Sequence, residues 1–361
     1  MEILYIASKE KKGIHDSGVQ KKIIGQVKAL NYLGINTTLV RLPILNKKNR
    51  MFPFSSSSIN WNSIQVNASI NGLYIRYLQS DYRLLTFLRR VKTNYPKIKI
   101  IIEIPTYPYN DEKKNFLIVI RDTLYRRFLN RYVDCIAVFT KEYRNIFNIP
   151  TICMRNGIDL DKVKIRKPIN RMDHSIHILS VSNFQIWHGM DRMLLGLISY
   201  YKNGGKINIV LHLAGEGSVI SDLKETAKNE HLHNHIIFEG YLDGKKLDDL
   251  YDYCDLGLGS LGGHRRKIKI NSELKSREYL AKGIPFIYAG LIDVFVDEPV
   301  DFAYSLPLSD SPIDIQEIID FYHSLLNKYN IFELTNIIRE YSVNNIDMRQ
   351  TMKPIRKYLI D

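Results

Sequence analysis

The sequence predicts two doubly wound α/β domains, each a largely parallel sheet wrapped in helices. Three observations carry this. At 361 residues the chain is too long for one ordinary core and suits two domains. Short apolar runs of strand length alternate with helical patterns along its length, as in successive βαβ units. The most β-branched run, residues 98–104, reads as a central strand.

Composition narrows the class. The chain is 45% hydrophobic and 25% charged, which is globular. A formal net charge of +13 points to an anionic partner: nucleic acid, an anionic membrane or a phosphorylated substrate. Nucleic acid is set aside, because the basic residues do not interleave with aromatics in any recognisable module. Cys135, Cys153 and Cys254 are scattered, which argues against a disulfide framework or a zinc site and fits a reducing cytosol. Residues 1–8 read as a strand followed by charge, not as a signal peptide. No apolar run approaches the roughly 18–20 residues of a membrane-spanning helix. The expectation is a cytoplasmic protein, soluble or peripheral on the inner face of the membrane.

Taken in order, residues 3–7 form a buried strand, followed by His15-Asp16-Ser17-Gly18-Val19 and a helix over 21–33. Strand, glycine-containing loop and helix is the order of a phosphate cradle, with Ser17 and Gly18 its candidates, and also that of an ordinary tight turn. Residues 37–42 make a second strand, and 47–58, with its serine run, a polar surface loop. A strand over 72–77 and a basic helix over 84–94 follow. The 98–104 strand ends in Glu103-Ile104-Pro105-Thr106-Tyr107. A carboxylate and tyrosines at a strand's carboxyl end suggest a sugar-contacting rim, so Glu103 and Tyr107 are acceptor-side candidates. The alternative for Glu103 is an arginine partner. In residues 113–132, Phe116, Leu117, Ile120, Leu124, Phe128 and Leu129 recur at helical spacing beside Lys113, Lys114, Arg121, Arg126, Arg127 and Arg131, with Asp122 the one acid. Such a helix lies on an anionic membrane, or packs on a core with its charged side outward. Residues 135–140 are a strand, and 162–173 a linker.

The second half opens with a strand over 176–181 and then Trp187-His188-Gly189-Met190-Asp191-Arg192, leading into a helix that ends near Tyr201. His188 and Arg192 stand at a helix N-terminus, which favours negative charge. A strand over 207–213 and a glycine turn into another helix follow. His231, His233 and His235 alternate in a helix-end loop and are not read as a metal site. After Phe238-Glu239-Gly240-Tyr241 and a helix over 247–254 comes the densest stretch of the chain. Residues 255–263 are a strand and glycine-rich loop, His264-Arg265-Arg266-Lys267 is a basic cluster, and 271–285 is a short helix. Ser272 is its expected N-cap, and Gly283 with Pro285 ends it. In a parallel sheet such a loop and helix N-terminus lie at the carboxyl edge, where an anion such as a diphosphate is favoured. Glu278, one turn in, is placed to accept from ribose hydroxyls, or pairs with Lys275 or Lys282. Residues 286–289 are a strand, and from 312 the chain is helical.

This block resembles the C-terminal nucleotide-sugar site of GT-B glycosyltransferases, in the large retaining family numbered four. Glu278 matches the second of that family's two glutamates, and Lys282-Gly283-Ile284-Pro285 matches the helix end. The first glutamate falls at Ile270, and the family's diphosphate-binding arginine and lysine fall at Asn183 and His188. Phe238-Glu239-Gly240-Tyr241 is similar to the segment that holds the nucleobase edge, and Asn156-Gly157-Ile158-Asp159 to the motif closing the first domain. Leu274-Lys275-Ser276-Arg277-Glu278-Tyr279 is similar to a bacterial surface-polysaccharide branch.

The resemblance implies two domains facing across a cleft. Residues 1–165 bind acceptor, 173–342 bind the nucleotide sugar, and a helix over about 343–361 packs back on the first domain. It implies transfer of a sugar, with retention, from a nucleotide-sugar donor to a glycan or polyprenyl-diphosphate-linked glycan, in capsule, exopolysaccharide or O-antigen synthesis. It implies no cofactor and no metal. Charge developing on the leaving diphosphate calls for fixed cations. The catalytic candidates are therefore His188, Arg265, Lys267 and Lys275. The donor-binding candidates are Glu278, Arg192, Tyr241, Ser17 and Gly18. Two alternatives stay open: a nucleotide-sugar 2-epimerase of GT-B fold, which would share the nucleotide recognition without an acceptor, and a non-catalytic GT-B subunit, kept open by the departures at Ile270 and Asn183.

Overall fold

The computed structural model of the chain describes residues 1–8, 18–42, 60–77, 79–109, 116–139, 142–171, 173–268 and 270–361. The chain divides into two compact units, Met1–Asp159 with Met348–Asp361, and Leu160–Asp347. The first contains β1 (Glu2–Ser8), α1 (Gly18–Tyr32), β2 (Asn36–Leu42), β3 (Gly72–Arg76), α2 (Tyr82–Asn94), β4 (Lys99–Ile104), α3 (Phe116–Arg126), β5 (Cys135–Phe139), β6 (Asn145–Ile146) and β7 (Ile149–Met154). The second contains β8 (Ile176–Val181), α4 (Met190–Lys202), β9 (Ile209–Ala214), α5 (Ile220–Asn229), β10 (Ile236–Gly240), α6 (Gly244–Tyr253), β11 (Leu256–Leu258), β12 (Ile270–Asn271), α7 (Leu274–Lys282), β13 (Phe286–Ala289), β14 (Leu291–Ile292), β15 (Ala303–Leu306), α8 (Ile315–Lys328) and α9 (Ile331–Asn345). Two short helices, α10 (Met348–Thr351) and α11 (Lys353–Ile360), return to the first unit.

Among the described residues the first unit's sheet runs β2-β1-β3-β4-β5-β7-β6, parallel except for the β6–β7 pair. Its strands are apolar on both sides because both faces are covered. Ile100, Ile102 and Ile104 of β4 pack in one cluster with Phe87 and Leu88 of α2. Ile101 points the other way, into a cluster with Leu30 of α1, Met348 of α10, and Ile355 and Leu359 of α11. Residues 160–171 belong with the second unit for a local reason. The Arg166 guanidinium is buried there and donates to the carbonyls of Gly283 at 3.2 Å and Cys254 at 2.7 Å.

The helix expected over 113–132 is differently built. Lys113 and Lys114 lie outside the described residues, α3 ends at Arg126, and a 3-10 turn follows at Leu129–Arg131. Its apolar residues face outward, Phe116 being 75% and Leu124 47% exposed, while Arg121 and Asp122 are buried. The cause is Asp122, whose carboxylate accepts from Tyr77 Oη at 2.6 Å, Ser80 N at 2.5 Å and Tyr109 Oη at 2.8 Å. Arg126 also turns inward, over the Phe147 ring at 4.9 Å. Three donors converging on one buried carboxylate outweigh the stripe's own preference for the core.

Glu103, at the end of β4, is fully buried. It accepts from Gln26 Nε2 at 2.8 Å, Tyr74 Oη at 2.7 Å and Arg76 Nη1, with Lys22 Nζ at 3.4 Å. Burial alone raises a carboxyl pKa, but Lys22 and Arg76, then the bonds from Tyr74 and Gln26, hold it at about 2. The unfolded value is about 4.3. The group therefore contributes stability fully above that value, and loses it as pH falls through about 2. Thermal unfolding followed from pH 5 downward should show a steep loss in the wild type and a shallower one in Glu103→Gln. Parallel curves would show that the cluster does not set the acid limit.

Candidate active site

The second unit's sheet runs β10-β9-β8-β11-β13-β15, parallel throughout the described residues. The direction of winding reverses between β8 and β11, so a crevice opens beyond their carboxyl ends, where such sheets bind ligands. Two loops meet there. Gly189, in the left-handed region at φ 66°, ends the first. A Cβ at Gly189 would stand 2.7 Å from Gly262 N, so glycine is what lets the loops touch backbone to backbone. Leu261 N donates to His188 O across this contact at 2.9 Å.

His188 closes a 3-10 turn, Ile186–His188, through reciprocal bonds with Gln185. Gln185 N donates to His188 Nδ1 at 3.0 Å, and Ser182 Oγ lies 3.3 Å from either ring nitrogen. Burial, then the Lys275 and Arg266 cations, push the imidazole pKa down to about 3.

Two of the expected cations, Arg192 and Arg265, are engaged by the protein's own groups. Arg192 is buried and donates to Leu261 O at 2.5 Å, Ser311 O at 2.8 Å and Ser309 Oγ at 3.3 Å. Arg265 grips Asp191 through two bonds, at 2.8 and 2.7 Å, and donates to Asp310 and to Ile186 O at 2.7 Å each. Those carboxylates raise its pKa further. Lys267 is exposed, with φ 57°.

Lys275, in the first turn of α7, is only 8% exposed. Its Nζ has no hydrogen-bond partner among the described residues. The Glu273 carboxylate stands 4.0 Å away and is engaged by Ser260, through N at 3.1 Å and Oγ at 2.5 Å. Burial lowers the lysine's pKa, and Glu273 opposes this only in part. The N-cap of α7 is Glu273 and not the expected Ser272. Ser272 Oγ instead donates to Asp293 Oδ2 at 2.7 Å and accepts from Arg277 at 3.1 Å, drawn away by the buried Arg277–Asp293 pair.

Glu278 is half-buried one turn on, near the buried Tyr251 phenol, whose pKa burial and then Glu278 raise. Lys282, one of its expected partners, pairs with Asp248. Tyr241 is exposed just after β10. His235 stacks on Tyr201 at 4.0 Å, and among the described residues no group of acids, histidines and cysteines is placed to hold a metal ion. In the first unit, Gly18 begins α1, and Ser17 lies outside the described residues. Glu103 is enclosed by the partners given above. Tyr107 is half-buried, edge-on to Tyr143 at 5.2 Å and Phe147 at 6.0 Å. Sequence reasoning missed the anchoring roles of Ser260, Glu273 and Gln185. Gln185 alone left a signal, its capping-box spacing to His188.

No family profile matches the sequence, and no curated protein does. Solved structures do. A glycosyltransferase from Rickettsia africae superposes with a TM-score of 0.63 at 12% identity, over 100% of this chain and 98% of its own. Sucrose-phosphate synthase from Thermosynechococcus elongatus gives 0.63 at 11%, over 100% and 99%. Anabaena HepE, in complex with UDP, gives 0.63 at 11%, over 99% of each chain. The fold is GT-B. Within a GT-B chain, two Rossmann-like units and the switch-point crevice of the second are thus accounted for together.

A buried cation without a hydrogen-bond partner costs stability. Lys275→Met should therefore unfold in denaturant at the same or a higher midpoint than the wild type, by up to about 1 kcal/mol. A loss of more than about 2 kcal/mol would mean that the ammonium serves the fold.

Proposed function

We propose that the chain transfers a sugar from a nucleoside-diphosphate sugar to a glycan or lipid-linked glycan acceptor, with retention, in bacterial surface-polysaccharide synthesis. The observation that carries this is Lys275, a nine-tenths buried ammonium without a hydrogen-bond partner among the described residues, in the first turn of a helix at a Rossmann switch point. A site that holds such a charge is suited to an arriving anion, and the first N–H groups of α7 favour the same occupant. As the bond to the sugar breaks, negative charge gathers on the diphosphate. A preorganised cation, poorly solvated, stabilises that state more than the ground state. Glu278 accepts from the ribose hydroxyls, and Tyr241 borders the base. Lys275 and the helix N-terminus neutralise the diphosphate, so no metal is required. That HepE holds UDP and UDP-glucose in its structures supports the reading.

Calorimetry tests it. The wild type should bind a nucleoside diphosphate, equally well in excess chelator, and release one when supplied with donor and acceptor, without forming an epimerised sugar nucleotide. Lys275→Met and Glu278→Ala should each weaken binding about 10- to 100-fold, the loss of one charged hydrogen bond of about 1.5–3 kcal/mol. Undiminished affinity in folded Lys275→Met would remove the lysine from the site.

The acceptor's setting is proposed to be an anionic membrane surface, met by α3. Outward-facing Phe116, Leu117, Ile120 and Leu124, with exposed Phe128, form an apolar face bordered by exposed Arg127 and Arg131. Apolar insertion supplies most of the affinity and each arginine about 1 kcal/mol. Sedimentation with anionic vesicles should persist partly at high salt, and be lost in a Phe116→Glu, Leu124→Glu double variant. A folded double variant that sediments like the wild type would exclude this face.

A further inference from the structure

A backbone N–H can only donate a hydrogen bond, so the 3.0 Å contact from Gln185 N assigns the lone pair of His188 to Nδ1. The ring's proton then sits on Nε2. The donor in this contact is not a rotatable group, because the 3-10 turn fixes that amide. His188 N donates back to Gln185 O at 2.9 Å and to its side chain. Protonating Nδ1 would set one N–H against another.

The surroundings oppose a second ring proton as well. Besides burial, the Lys275 cation on α7 and the Arg266 cation after β11, the latter over the neighbouring Trp187 ring at 4.8 Å, lower the imidazole's pKa. The carboxylates near them are engaged elsewhere, and Glu273 comes no nearer to Lys275 than 4.0 Å. Asp191 is held through both oxygens by Arg265, and Glu273 by Ser260. Among the described residues Nε2–H has one long contact, to Ser182 Oγ at 3.3 Å, which stands equally far from Nδ1.

We infer that His188 serves the leaving diphosphate as a neutral hydrogen-bond donor, through Nε2–H, and that Lys275 is the buried cation of the pair. This rests on the reading that a nucleoside diphosphate occupies the crevice. The division of labour follows from electrostatics. A second buried cation here would repel the first and add its own desolvation cost, whereas a neutral donor stays directed at the phosphate and leaves the Lys275 charge intact. His188 passes no proton to the leaving group and acts as a positioned donor only.

The test has two arms. In the full chain labelled with 15N-histidine and free of ligand, the His188 ring should show the Nε2–H tautomer, unchanged from about pH 8 to about pH 5. In calorimetry with UDP, GDP and ADP separately, affinity should stay level or rise from about pH 5.5 to about pH 8. His188→Gln, which keeps a neutral donor near the same place, should bind within about threefold of the wild type, and His188→Ala about tenfold more weakly. An imidazolium signal in that pH range, affinity that falls as pH rises, or His188→Gln binding as poorly as His188→Ala would each overturn the inference while leaving the proposed function standing. A wild type that binds none of the three nucleotides would overturn both, whatever tautomer the first arm reports.

Discussion

The guanidinium of Arg192, enclosed within the second unit, holds the candidate site in shape. It reaches the carbonyls of Leu261 and Ser311 and the hydroxyl of Ser309, tying the start of α4 to the loop after β11 and to the segment before α8. A guanidinium suits this task because its planar donors diverge in fixed directions and remain charged. Arg265 repeats the device nearer the surface, bracing Asp191, Asp310 and Ile186. With two arginines spent on architecture, the loops cannot drift, and Gly189 can lie against Gly262. Of the expected cations, Lys275 is the one left buried with no hydrogen-bond partner among the described residues.

This division explains which parts of the site were legible. The strands and helices follow from apolar periodicity, because parallel strands buried on both faces are written as continuous runs, as in β4 and β8. The GT-B fold was legible only through the resemblance carried by Glu278 and Lys282-Gly283-Ile284-Pro285. Charge was legible, but its employment was not. Arg265 and Lys267 look equivalent in sequence, and only the fold brings Asp191 and Asp310 to the first. Ser272 has the chemistry of an N-cap, yet the Arg277–Asp293 pair claims it. Glu103 offered two readings, and the arrival of Arg76 and Lys22 from neighbouring elements places it in an enclosed ion cluster.

The orientation of α3 shows a further limit. Helical spacing reports that a stripe exists but not which way it faces. The usual inference, that the stripe points inward, fails when a polar residue on the opposite side has stronger claims on the interior. Asp122 has them, since Tyr77, Ser80 and Tyr109 all present donors that need an acceptor once buried. None of these is close in sequence, so their demand cannot be read from the helix itself.

The return of the chain to its first unit has a consequence for synthesis. Leu359 of α11 lies over Gly72 of β3, and Ile355 and Met348 share the cluster that contains Ile3 and Tyr5. A ribosome delivers the strands of this sheet long before the residues that cover one of its faces. In the interval, the nascent sheet keeps an apolar side open while the whole second unit is made. That interval is when chaperone holdases have most to protect. A chain ending just after α9 would contain the whole second unit and still be unable to finish its first domain.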